Sequence, residues 1–160
     1  MKCPRDQAAL ATERYEADIQ IDRCPTCDGV WLDDGELSAI QDTKEKDYAA
    51  ELSKMPGILQ EAGLAEEMAK QLARAPALCP KCNAEMVDEE YAHCSQILVD
   101  FCPKGCGVWL DKGELKALEV FFERNKRKSH DEAVSDDIMF RIRGVWASLR
   151  SAVAGKKRGA

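Results

Sequence analysis

The chain has 160 residues, of which 45% are hydrophobic and 32% charged, and a formal net charge of −6. No stretch approaches the roughly eighteen apolar residues of a membrane span, and the N-terminal MKCPRDQAAL lacks the apolar run of a signal peptide, so a cytoplasmic protein is expected. In that reducing compartment the eight cysteines are better read as metal ligands or reactive thiols than as disulfides.

In chain order, the first element is a short cysteine turn, CPRD (3–6), followed by a stretch suited to a β-strand. ADIQID (17–22) alternates apolar and polar residues and supplies the second strand of a hairpin. A second turn, CPTC (24–27), leads into GVWLDDGEL. There Asp33 can accept a bond from an orphan backbone N–H of a helix, while Glu36 can reach back to the cap residue, which is a capping box written with Asp. Leu37 and Ile40 then fall at helical spacing. Residues 1–43 thus read as turn, hairpin, turn, helix, with Trp31 and Leu32 as packing residues of a small core.

Residues 44–77 read as a helical linker: KEKDYAAELSKM, a break at Pro56-Gly57, then LAEEMAKQLARA up to Pro76. Leu64, Met68 and Leu72 form a stripe that either packs the flanking units together or runs along an arm between them.

Residues 78–128 repeat the first unit. Trp31, Leu32, Asp33, Gly35, Glu36 and Leu37 recur 78 positions later as Trp109, Leu110, Asp111, Gly113, Glu114 and Leu115. SQILVD (95–100) is the strand before the last cysteine turn, and Leu115, Leu118, Phe121 and Phe122 continue the helical spacing. The second hairpin is two residues longer, which puts His93 and Cys94 near its tip. They could bind a further metal or react; the plainer reading is a solvated imidazole and a small apolar filler.

The cysteine spacing carries the chemistry. Zn²⁺ takes four tetrahedral N, S or O ligands, and two short-spaced pairs from separate turns supply them without a large core. Cys79, Cys82, Cys102 and Cys106 give C-x2-C, nineteen intervening residues, then C-x3-C, a recognised zinc spacing. Cys106 aligns with Asp28 and Gly105 with Cys27, which reads as an extra residue in the loop eased by Gly105 and Gly107. In the first unit Cys3, Cys24 and Cys27 offer three thiolates, and Asp6 stands where the second unit has Cys82. Asp6 is either the fourth ligand, carboxylate oxygen being acceptable to zinc, or a turn residue beside a water-completed or degenerate site. An open fourth position would be the route to hydrolysis, with Glu13 or Asp22 as nearby carboxylates, but nothing groups them into an acid/base constellation. No catalytic residue is expected. CPTC also has dithiol redox spacing, without the βαβ context of that motif.

CPRD...CPTCDGVWLDDGEL and CPKC...CPKGCGVWLDKGEL resemble the bacterial zinc-ribbon family named after transcription factor IIB, whose units follow CPxC or CPxD, a hairpin, then CPxCxGVWLDxGEL. The resemblance spans residues 3–41 and 79–119. It implies two zinc β-ribbons, with ligands at Cys3, Cys24, Cys27, Cys79, Cys82, Cys102 and Cys106, and it places Asp6 within the family pattern. The Cys102 to Cys106 spacing departs from that pattern. Any role in transcription is an analogy of fold.

Residues 123–137, ERNKRKSHDEAVSDD, are polar and read as a flexible hinge, with its core at 129–137. In 138–160, Ile138, Ile142, Val145, Trp146, Leu149 and Val153 follow helical spacing with Arg141, Arg143 and Arg150 outside the stripe. The six basic and no acidic residues there contrast with 17 basic against 29 acidic in residues 1–137. Such a basic amphipathic helix suits the chain's own acidic body, a protein partner, a membrane surface or a nucleic acid.

The sequence therefore leads to a small α+β fold: two zinc β-ribbons, each followed by a helix, joined by a helical linker and ending in an amphipathic helix. The expected function is a non-catalytic adaptor for a protein partner, with no small-molecule substrate. The alternatives are a nucleic-acid-binding, transcription-related regulator using the basic tail, and a peripheral membrane adaptor.

Overall fold

The computed structural model describes residues 1–43, 48, 50, 53–54, 70–93, 95 and 97–131. Each unit spells three short strands followed by a helix. In the first, β1 (Ala11–Arg14), β2 (Gln20–Arg23) and β3 (Val30–Asp33) precede α1 (Glu36–Asp42). In the second, β4 (Val87–Glu90), β5 (Leu98–Phe101) and β6 (Gly107–Leu110) precede α2 (Glu114–Asp131).

The two hairpins form as their alternation indicates, β1 against β2 and β4 against β5, both antiparallel. Their tips are 3₁₀ turns at Glu16–Asp18 and Tyr91–His93, closed by Tyr15 N–H to Ile19 O and Tyr91 N–H to Ile97 O, both 2.8 Å. β3 and β6 have no strand signal of their own in the sequence. Val30-Trp31-Leu32 and Val108-Trp109-Leu110 are too short for their periodicity to show and look like packing residues alone, yet both runs are strands.

Those two strands also pair with each other. β3 and β6 join the units in one six-stranded sheet of order β1-β2-β3-β6-β5-β4. The register is Val30↔Leu110, Trp31↔Trp109, Leu32↔Val108 and Asp33↔Gly107. Exchanging each residue for its repeat maps the first three pairs onto themselves, so a local pseudo-two-fold axis passes between Trp31 and Trp109. The units are two halves of one sheet rather than two separate ribbons.

The period of two along a strand sends alternate side chains to opposite faces. Val30, Leu32, Val108 and Leu110 join Ile21, Val99 and Phe101 on the face covered by Leu37 and Ile40 of α1 and Leu115, Leu118 and Phe121 of α2. On the other face, Trp31 and Trp109 are fully buried among Cys3, Cys24, Cys79, Cys102, Met86 and Ala77. Two glycines make that packing possible. A Cβ on Gly29 would lie 2.2 Å from Cζ2 of Trp109, and one on Gly107 would lie 2.1 Å from the carbonyl oxygen of Leu32 and 2.9 Å from Cζ2 of Trp31. Each indole lies over the glycine of the other unit.

The expected hinge is shortened at its N-terminal side. Residues 123–131 continue α2, because Glu, Arg, Lys and Asn extend a helix already nucleated by its docked first turns at little cost. Of the linker, residues 70–72 are helical, and Leu72 is 60% exposed, so the stripe is not buried at that end. Leu64, Met68, Cys94 and the expected amphipathic helix at 138–160 lie outside the described residues. Among the described residues, no helix is long and apolar enough to cross a membrane.

Candidate metal centres

Three of the four cysteine turns share one backbone design. Cys3, Cys24 and Cys79 each donate their N–H to the carbonyl five residues on, at Ala8, Gly29 and Ala84 (2.8–2.9 Å). A reverse bond runs from Gln7, Asp28 and Asn83 back to the same cysteine's carbonyl (2.9–3.0 Å). Gln7, Asp28 and Asn83 take left-handed φ values of 64°, 59° and 59°, conformations that polar residues in tight turns tolerate. The N–H groups inside the turn then point at sulfur: Arg5 to Cys3 Sγ at 3.3 Å, Thr26 to Cys24 Sγ at 3.4 Å.

The fourth turn explains the divergent spacing. Cys102 N–H still bonds the carbonyl five residues on, at Gly107 (3.0 Å), but the reverse bond comes one residue earlier, from Gly105 (2.9 Å). The loop therefore has no extra residue. The left-handed position has moved from the place of Asp28 to that of Gly105 (φ 72°), and the sulfur has moved from the place of Cys27 to that of Asp28.

These turns bring Cys79, Cys82, Cys102 and Cys106 together in one cluster, and Cys3, Asp6, Cys24 and Cys27 in another, with the ligand atoms of each within 4.8 Å of one another. Tetrahedral zinc with Zn–S of about 2.3 Å places sulfurs roughly 3.8 Å apart. Cys82 and Cys102 Sγ are 3.5 Å apart and Cys3 and Cys27 Sγ 3.6 Å. Asp6 directs both oxygens at Cys24 Sγ, at 3.3 and 3.5 Å, and its Oδ1 also accepts the Ala8 N–H at 2.9 Å. That N–H, followed by the Cys3 thiol, holds the Asp6 carboxyl below its ordinary range, so the group is poised as an anion. The two donor sets, S₄ and S₃O, fit two Zn²⁺ ions.

Burial pushes the Cys3, Cys27 and Cys79 thiols up, and Cys106 up to about 12. Cys82 goes the other way, down to about 7, mainly because the Ala84 N–H faces its sulfur. Zinc binds thiolate, so loading such a cluster displaces protons and tightens as pH rises.

The residues behind the ligands differ from expectation in one respect. Glu36 and Glu114 do reach back, accepting the N–H of Asp33 (2.8 Å) and Asp111 (2.7 Å). The aspartates, however, do not cap the helices. Asp33 accepts the indole N–H of Trp31 at 2.7 Å and Asp111 that of Trp109 at 2.8 Å. A buried indole N–H needs an acceptor, and the carboxylate two residues along the same strand face is the nearest one. The WLD element is thus a strand, a buried indole and its acceptor.

Several contacts between units also lay beyond a local reading. Arg5 donates from Nε to Asp111 Oδ1 (3.0 Å), and from Nη2 to Asp111 Oδ2 (3.1 Å) and Asp100 Oδ2 (2.6 Å). Its repeat, Lys81, pairs with Asp33 at 2.6 Å. Tyr15 OH donates to Glu119 Oε2 (3.0 Å), and the repeated pair is Gln41 Nε2 to Tyr91 OH (2.8 Å). The repeat itself was the signal: a basic residue after each leading CP, and a tyrosine at each hairpin tip. Burial, then Asp88 across the hairpin, pushes Asp100 up to about 8 against the pull of Arg5. His93 lies in the second hairpin tip.

Two ribbon units, each gathering four ligands from two turns, define a zinc-ribbon protein. A family model described as a transcription factor zinc-finger matches residues 2–43 and 78–119, more than half of the chain, and the chain belongs to that family, with two tandem copies of a transcription factor IIB-type ribbon. No curated protein and no solved structure matches it.

Proposed function

We propose that this protein is a non-catalytic, cytoplasmic adaptor whose two zincs hold a rigid surface for a protein partner. The observation that carries the reading is that each cluster offers four side-chain ligands. Zinc held by four protein ligands is structural, whereas catalytic zinc keeps a position for water. The two outermost strands of the sheet support a protein partner over a small molecule: β1 is exposed along its whole length, and β4 carries Asp88, Glu89 and Glu90. A second reading, a transcription-related regulator that binds nucleic acid, is favoured by the description of the family and by the basic tail.

In-cell cross-linking of the full chain, with the linked residues mapped, separates the readings. The adaptor reading expects one dominant protein linked to lysines of the ribbons, such as Lys2 and Lys104, and lost in Cys79→Ser/Cys102→Ser. Nucleic acid linked through Lys156 and Lys157, with affinity falling steeply as salt rises, would replace it with the second reading. Recovery with anionic vesicles alone would sink both.

A further inference from the structure

Both turns of each metal cluster touch the other unit. Arg5 sits inside the first turn, its N–H on Cys3 Sγ, and its guanidinium holds Asp111 and Asp100 of the second unit. Gly29, whose carbonyl closes the turn at Cys24, lies under Trp109. The arrangement repeats in reverse: Lys81, between Cys79 and Cys82, holds Asp33, and Gly107, whose carbonyl closes the turn at Cys102, lies under Trp31. Asp111 and Asp33 are the acceptors of the same two indoles.

We infer that the two sites take up zinc as a coupled pair, with Arg5 and Lys81 as positioning residues that transmit occupancy from one unit to the other. A ribbon turn keeps its conformation through its metal. When the first site lets go, Arg5 leaves Asp100 and Asp111, and Trp109 loses its cover. The second unit is then less stable, and because its folding is part of its zinc affinity, that affinity falls. Linkage makes the effect reciprocal. The arms are unequal: Arg5 makes three bonds with its side chain 20% exposed and that of Asp100 5% exposed, whereas Lys81 and Asp33 are 40% and 39% exposed. Exposed pairs contribute little, so Arg5 carries the larger share.

The test is a double-mutant cycle on the full chain under reducing conditions. Zinc affinity at the Cys79, Cys82, Cys102 and Cys106 site is read by chelator competition, with Co²⁺ spectra distinguishing the S₄ and S₃O sites. Silencing the first site by Cys24→Ser/Cys27→Ser is expected to weaken the second on the order of ten-fold or more in the otherwise wild-type chain. The factor is expected to be smaller in an Arg5→Met background and intermediate in Lys81→Met. The inference is overturned if silencing leaves the second site within about two-fold of wild type, or costs the same factor with and without Arg5, which includes complete loss in both.

Discussion

The two halves of the sheet share a plan and differ in how much they bury. In β2 only Ile21 is buried, whereas all four residues of β5 are, Asp100 among them. The repeat of Asp100 is Asp22, which accepts a bond from Thr12 across its hairpin. In the second half that threonine is replaced by Asp88, so two carboxylates face each other and Arg5 is drawn over them from the first half. The first half also carries the mixed donor set through Asp6, which is exposed where Cys82 is half-buried. The lesson is that a repeated motif can keep its backbone while side-chain differences in one copy are compensated from the other.

The largest expected effect tests whether the halves fold as one. Stripping both zincs with a strong chelator at pH 7 should abolish the fold, since structural zinc contributes on the order of 10 kcal/mol. A single cooperative loss of circular dichroism is expected, and two separated transitions would show that the β3–β6 pairing does not unite the halves.

Next come the glycines under the indoles. Gly107→Ala should cost about 3 kcal/mol or more, because its Cβ meets a backbone oxygen and its φ of 150° does not suit a side chain. Gly29→Ala meets the edge of the Trp109 ring instead and should cost about 1–3 kcal/mol. Urea unfolding of the zinc-loaded proteins gives both numbers, and the reverse order would contradict the packing described.

A smaller effect separates Glu114 from Glu36. Burial, reinforced by Asp111, pushes Glu114 up to about 7, and burial raises the less enclosed Glu36 as well. A carboxyl raised in the folded state binds its proton more tightly there than in the unfolded chain. Its contribution is therefore fully present below the ordinary value near 4.5 and is lost as pH rises through about 7. Glu114→Gln keeps an oxygen for the Asp111 N–H and removes this dependence. Relative to wild type it should gain about 1–3 kcal/mol between pH 5 and 8, with a lesser gain for Glu36→Gln. Comparing differences at each pH cancels the shared loss of zinc in acid, and parallel pH profiles for Glu114→Gln and wild type would exclude the effect.

The smallest expected effect concerns Asp6. Asp6→Ala should weaken zinc at the first site about ten-fold, and Asp6→Cys should tighten it by supplying a fourth thiolate. Elemental analysis after dialysis against a weak chelator checks both. Unchanged retention in Asp6→Ala would mean that the carboxylate is a turn residue only.

Much of this molecule was legible because its chemistry is local. The two hairpins, the presence of a helix after each WLD run, and the grouping of the cysteines with Asp6 follow from spacing and alternation. What escaped was set by partners distant in sequence. Nothing in VWL shows that β3 will meet β6, since register across a seam is decided by two segments jointly. The aspartates of DDGE and DKGE look like helix caps until a buried indole two residues earlier claims them. The Cys106 shift looked like a longer loop because Cys-to-Cys spacing was counted, whereas the turn is closed by a bond from Cys102 to Gly107 that keeps its length.

The pairing of β3 with β6 resembles the isologous seam of a homodimer, in which a single patch must match itself. Here both patches lie on one polypeptide, so closing the seam is a unimolecular step and the assembled state does not dissociate on dilution. A homodimer must place every change at both positions at once. This chain can hold a carboxylate at Asp6 opposite a thiol at Cys82, an arginine opposite a lysine, and a long hairpin opposite a short one. The seam gives one small protein two unlike ends on a common frame.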